Sequence, residues 1–334
     1  MKALPPFLAC SALTALALAA APALHAQTTD GEATASQPPS QQPKPPERPE
    51  LPGFAAIPGG EFTMGDTLES DRRAPWHKVN VSAFHMQQKE VSKAQWDEVR
   101  DWGRRHGYPD LPDGGGKAAK HPAQAVSWHD VVKWCNAKSE KEELTPCYYT
   151  DAAQTAVYQT GKTDLDSTMV NWTANGYRLP TEAEWEKAAR GGLDDEHCAR
   201  FPWGDTISHP QANFCNDGKE KYQTGTTGNH PAYQTGEAPF TSPVGSFAAN
   251  KYGLYDMAGN VCEWCWDRYG RYQWEVSTTQ TDPHGPVEGR FRVMRGGSWY
   301  NHAYFCGVAY RYDFGDPSGS SYNVGFRLAR SSAP

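Results

Sequence analysis

Arg295-Gly296-Gly297-Ser298-Trp299-Tyr300-Asn301-His302-Ala303-Tyr304-Phe305-Cys306 is the stretch on which the reading of this chain turns. It sets a serine, an asparagine, a histidine and a lone cysteine behind two glycines, on a background of Trp, Tyr and Phe. The aromatic character continues to residue 323, where Tyr, Asn, His, Phe, Asp, Gly and Ser dominate. Val308 is the only aliphatic side chain larger than alanine between 300 and 323. Such a mixture makes an adaptable, wet recognition surface; the plainer reading is an aromatic-rich pocket wall.

Upstream lies Tyr252-Gly253-Leu254-Tyr255-Asp256-Met257-Ala258-Gly259-Asn260-Val261-Cys262-Glu263-Trp264. Asp256 and Glu263, with the carbonyls of Gly259 and Val261 between them, form an all-oxygen donor set that suits Ca²⁺. The competing reading is a tight turn in which Glu263 pairs with an arginine such as Arg327. Further upstream the helix signals are explicit. Ser92 with Gln95 caps a helix carrying Trp96, Val99 and Trp102, closed by Gly107. Ser127 caps a second helix running to about Glu143. Thr181 with Glu184 caps a third that Gly191-Gly192 stops. Phe54 to Gly65 reads as two short strands joined by a Gly-Gly turn. From residue 197 onward no helical period appears, only short strands and loops.

The chain has 334 residues, 38% of them hydrophobic, and a formal net charge of -7, so no strongly basic face points to nucleic acid. Its 12 Trp, 16 Tyr and 31 Gly describe an irregular α+β fold pinned by aromatic side chains. Residues 1–26 read as a secretory signal peptide ending in Ala23-Leu24-His25-Ala26, and 27–52 as a disordered Pro/Gln-rich linker. The expected location is periplasmic or secreted, with no membrane span once the signal is cleaved. Seven cysteines remain beyond the signal: Cys135, Cys147, Cys198, Cys215, Cys262, Cys265 and Cys306. Seven is odd, so at least one thiol is unpaired within the chain, metal-bound or paired outside it.

Ordered along residues 53–330, the motifs Gly59-Gly60-Glu61-Phe62-Thr63-Met64-Gly65, Val126-Ser127-Trp128-His129-Asp130, Arg178-Leu179-Pro180-Thr181-Glu182-Ala183-Glu184-Trp185-Glu186, Phe201-Pro202-Trp203-Gly204, the 252–264 run, Arg295-Gly296-Gly297-Ser298-Trp299 and Gly325-Phe326-Arg327 resemble the formylglycine-generating, sulfatase-modifying family. The resemblance implies a C-type-lectin-like α+β domain with little regular secondary structure. It also implies an oxygen-dependent oxidoreductase whose two cysteines, three and eight positions after the serine, hold copper. Here Cys306 fills the second position and Asn301 the first, while Ser298 and His302 stand where the family keeps a serine and a histidine. A hard, neutral amide does not replace a thiolate toward Cu(I).

The resemblance further implies that Asp256, Gly259, Val261 and Glu263 bind a structural calcium, and that Asn213 and Phe214 belong to a second, less well matched calcium site to which Asp217 could contribute. It suggests a Cys265–Cys306 disulfide. Cys135–Cys147 is expected as a local pair, Cys198–Cys215 as another, and Cys262 as the unpaired thiol. Cys262 replaces a tryptophan of the family's pocket and is the one residue that could rebuild a two-thiolate site. The leading expectation is an exported family member without the standard copper oxidase activity, acting in altered periplasmic maturation chemistry or as a binding module for a client protein or peptide-like substrate. The alternative is a copper-dependent oxidase that converts a sulfatase cysteine to formylglycine through Cys306.

Overall fold

The computed structural model describes residues 51–66, 68, 74–193, 199–270 and 279–332. The signal and nearly all of the linker read from residues 1–52, and Cys198, lie outside them. Among the described residues three α-helices and ten short strands alternate with long loops, the mixed α+β architecture with little regular structure expected from sequence.

The helices stand where their caps predict. Helix α1 (Lys93–Gly103) opens on a full capping box, Ser92 with Gln95, and ends one turn before Gly107. Helix α2 (Trp128–Lys141) opens on Ser127, whose partner is Asp130. Helix α3 (Glu182–Arg190) opens on Thr181 with Glu184 and is closed by Gly191 in the left-handed conformation. Glu182 and Glu184 in its first turn and Lys187 and Arg190 in its last complement the helix dipole. No helix among the described residues is long and apolar enough to cross a membrane.

Strands β1 (Phe54–Ile57) and β2 (Gly60–Met64) flank the Gly-Gly turn as expected but do not pair with each other. The first joins β4 (Phe84–Gln87) and β10 (Ala329–Ser331), while the second joins β3 (His77–Val81) and β6 (Gln280–Thr281). A third sheet has the order β8-β7-β5-β9, formed by Tyr312–Gly315, Arg292–Arg295, Cys262–Arg268 and Val324–Gly325.

The site is positioned by β5, which is buried on both faces, so its sequence Cys-Glu-Trp-Cys-Trp-Asp-Arg shows no apolar–polar alternation. Cys262, Trp264 and Trp266 join a tryptophan-rich cluster with Trp96, Trp128 and Trp134. Cys265 belongs to a second cluster with Ile57, Phe84 and Trp185. A third, small cluster of Phe201, Phe214 and Ala303 contains Cys306.

Candidate functional site

Strand β7 ends at Arg295, and Gly296-Gly297 turn the chain into the loop that carries Ser298, Asn301 and Cys306. Gly297 has φ +69°, and a Cβ placed there would lie 2.7 Å from the Cys306 sulfur, so glycine is required for the thiol to reach this position. Arg295 anchors the turn from below: it is fully buried, pairs with Glu186, and donates to the carbonyls of Val308, Ala309 and Tyr310.

Asn301 is the hub. Its Oδ1 accepts from Ser298 Oγ at 2.5 Å and from the Cys262 thiol at 3.5 Å, and its Nδ2 donates to Tyr312 Oη at 2.6 Å. Asn323 Nδ2 donates to Ser298 Oγ at 3.2 Å. Cys306 is fully buried, and its thiol contacts the His302 carbonyl at 3.7 Å. Burial, then the neighbouring Cys262, push the Cys306 thiol up, although the Ser298 and Gly259 amides act the other way. Burial likewise raises Cys262 to about 12. Both sulfurs are therefore thiols at neutral pH.

The structure places Cys306, Ser298, Asn301 and Cys262 side by side. The His302 ring turns aside, with Nδ1 3.4 Å from the Cys215 carbonyl and 3.8 Å from Asp217. The expected Cys265–Cys306 disulfide is not formed. Side chains three apart on a strand point to opposite faces, so Cys262 and not Cys265 faces the thiol loop. All six described cysteines are free thiols, including Cys135 and Cys147, which are neighbours in the tryptophan-rich cluster. Tyr312 and Asn323 were not singled out from the sequence, although both fall in the 300–323 stretch read as a recognition surface.

These residues do not fit a two-thiolate copper site. The first ligand position holds a neutral amide already engaged by three donor or acceptor groups, and soft Cu(I) gains nothing from an amide oxygen.

The carboxylate set lies beneath the same loop. Glu263 pairs with Arg327 through Nη2–Oε1 at 2.6 Å and Nε–Oε2 at 2.7 Å, and accepts from Trp185 Nε1 at 2.7 Å. Glu263 thus makes the arginine pair that the turn reading named. Asp256 Oδ2 accepts the Gly245 amide at 2.5 Å, but its Oδ1 is buried without a partner, as is Glu90 Oε1. Glu90, invisible as a site residue in the sequence, is tied to this turn by Asn260 Nδ2 at 2.9 Å. Burial first, then Asp256 and Glu263, push Glu90 well up, and burial raises Asp256 to about 6.

Among the described residues no three His, Cys, Asp or Glu side chains converge as metal ligands. Even so, three acids, opposed by Arg327 and at Asp256 also by Lys89, with two bare buried oxygens, fit a hard cation completed by backbone carbonyls. Asn213 is drawn into this turn. Its carbonyl accepts from Asn260 N at 2.8 Å and its Nδ2 donates to the Phe240 carbonyl at 2.9 Å. Phe214 is buried in the third cluster, and Asp217 turns to His302 and Lys219.

A lectin-like loop domain with this buried Gly-Gly-Ser turn is the class that fold and site define. The family model described as sulfatase-modifying factor enzyme 1-like domain matches residues 39–332, and the chain belongs to that family. It is 34% identical over 296 residues to the formylglycine-generating enzyme of Thermomonospora curvata, covering 83% of this chain and 93% of that protein. It is 32% identical over 322 residues to a Paenibacillus barcinonensis protein named chaperone protein LppX, covering 95% and 97%. Among solved structures, Treponema denticola variable protein 1 superposes with a TM-score of 0.62 at 28% identity, over 83% of this chain and 94% of that one.

Proposed function

We propose that this protein is an exported accessory or maturation factor that recognises a client protein or peptide-like segment and has lost the standard copper oxidase chemistry. The observation that carries this reading is the Asn301 amide, fastened to Ser298, Cys262 and Tyr312 where the family has a thiolate. The likeness to a protein named as a chaperone supports it. So does the aromatic face around the loop, where Tyr300 and Tyr322 are exposed beside buried Trp299. The leader and Pro-rich segment read from residues 1–52 support export. The second reading, an oxidase working through Cys306, is favoured by the named formylglycine-generating relatives and by Cys262 standing next to the site.

Copper separates the two. Titration of the reduced protein with Cu(I) against a competing chelator is expected to show no tight one-to-one complex. A peptide carrying a Cys-x-Pro-x-Arg sulfatase motif is expected to keep its mass during incubation with protein, copper and reductant. Turnover would overturn the proposal and assign Cys262 as the substitute ligand.

We also propose that Ca²⁺ binds at Asp256 and the Gly259 and Val261 carbonyls, with the Glu90 and Glu263 carboxylates closing the charge. A ligand bound only by the folded state adds about 2.7 kcal/mol at a hundredfold excess over Kd, roughly 5–10 °C in melting temperature for a domain of this size. Asp256→Ala is expected to abolish that response. A wild-type melting curve that chelation leaves unmoved would reduce the site to a turn.

A further inference from the structure

A cavity of about 1000 Å³ opens between Met64 at the end of β2, Pro75, Trp76 and His77 at the start of β3, and Glu182 and Ala183 at the start of α3. Its floor is charged. Asp267, three residues beyond the sheet's Trp264 and on the face of β5 opposite Cys262, borders it together with Glu182 and Arg311. Its walls are mixed: Trp76 and Val287, 64% and 81% exposed, and Pro283 and Pro286 supply apolar surface, while His77, His284 and Glu288 also line it.

The floor has one open acceptor. Glu182 is bound by Arg311 through both oxygens at 2.6 and 2.8 Å, and Arg311 Nη1 also donates to the Gly270 carbonyl at 3.0 Å. The one arginine among the described lining residues is therefore engaged internally. Asp267 is 3% exposed; its Oδ2 accepts the Glu182 amide at 2.7 Å, while its Oδ1 carries no hydrogen bond. Gly285, in the left-handed region at φ +77°, leaves that oxygen uncovered, for a Cβ there would lie 3.0 Å from it. Among the described residues no cation hydrogen-bonds this deeply buried acid, a costly arrangement that marks a site more often than a scaffold.

We propose that this cavity binds a primary ammonium group on an aliphatic stem, with the charge at Asp267 Oδ1 and the stem along Trp76, Pro283 and Pro286. Ammonium is favoured over guanidinium because one free oxygen suits a compact point charge, whereas a planar fork needs two. The exposed indole adds attraction for a cation and cover for the methylenes.

The charge state of Asp267 supplies a signature. Burial first, then Glu182, raise it to about 8; Glu184 acts the same way, and Arg311 opposes. Its other charged neighbours are the buried Arg292, whose ionisation Asp267 favours, and Arg295, paired with Glu182, while His77, His284 and Glu288 line the cavity. Binding an ammonium ionises the acid, so below pH 8 each binding event releases a proton and affinity rises roughly tenfold per pH unit.

Calorimetric titration of the full chain tests this with n-pentylamine, N-acetyl-lysine methylamide and the neutral isostere 1-pentanol, in two buffers of different ionisation heat at pH 6, 7 and 8. The expected result is saturable binding of an amine, none of the alcohol, and close to one proton released at pH 7. The stronger of the two amines tells a free alkylamine from a lysine side chain. Asp267→Asn should abolish the proton release and weaken binding at least tenfold, and Trp76→Ala should weaken binding while keeping the release. Equal binding of amine and alcohol, absence of saturation at millimolar amine, or full proton release from Asp267→Asn would each overturn the proposal. If Asp267→Asn does not fold, an unchanged amine affinity in Trp76→Ala overturns it instead.

Discussion

Arg327→Met is expected to leave little folded protein at 37 °C. Arg327 is fully buried and joins three parts of the domain: the Glu263 carboxylate, the Tyr255 carbonyl at 2.9 Å, and the Gln87 and Gln88 carbonyls at 3.4 and 3.3 Å. It is also the cation that lowers the cost of holding Glu90 and Asp256 nearby, since its charge opposes the upward shift of both acids. Methionine fills a similar volume but abandons the acids in a medium of low dielectric. Removing one partner of a buried pair costs about 3–5 kcal/mol, a large part of the roughly 5–15 kcal/mol that holds a domain folded. Adding Glu263→Gln to this variant should recover part of the loss, because the neutral amide still accepts the Trp185 indole N–H. Denaturant unfolding measures both. A loss below about 1 kcal/mol, the range of exposed ion pairs, would show that water reaches this pair and that the buried cluster is misdescribed.

Asn301→Cys should convert the pocket into a Cu(I) site. The substitution restores two thiols at the family's spacing, three and eight residues after Ser298, and Cys262 stands close enough to touch either arrangement. Loss of a group that merely orients a metal ligand already costs roughly 10–100-fold in affinity, so supplying a missing thiolate should gain on the order of 100-fold or more. Without copper the variant is expected to be less stable by about 1–3 kcal/mol, since Ser298 Oγ and Tyr312 Oη lose the amide that satisfies them. Copper should return that stability, which gives a melting-curve readout independent of any activity. Equal Cu(I) affinity in Asn301→Cys and the parent would mean that the pocket shape, and not the missing thiol, is what departs from the family.

Much of the architecture was legible residue by residue. Ser92, Ser127 and Thr181 each announce a helix because a side-chain oxygen satisfies amide groups that the first turn leaves bare, a local matter that needs no tertiary partner. Gly107 misled by one turn, since α1 ends at Gly103 where the chain folds back through Tyr108. The Gly-Gly turn after Ile57 was read correctly, but where its two strands go was not, because strand pairing is decided by segments far away in sequence.

The same division runs through the site. The sequence by itself determined the family's fold and the serine, asparagine and cysteine of the thiol loop, since these depend on residue type and spacing alone. Only the tertiary structure decided which groups meet. Cys262 and Cys265 are three apart on a strand covered on both faces, so the pleat sends the first to Cys306 and the second into the other core. Glu90 is tied to Asn260 across 170 residues and so brought beside Asp256 and Arg327, and Asp267 is left with one bare oxygen over a cavity, because burial and net local charge are properties of packing and no residue carries them alone.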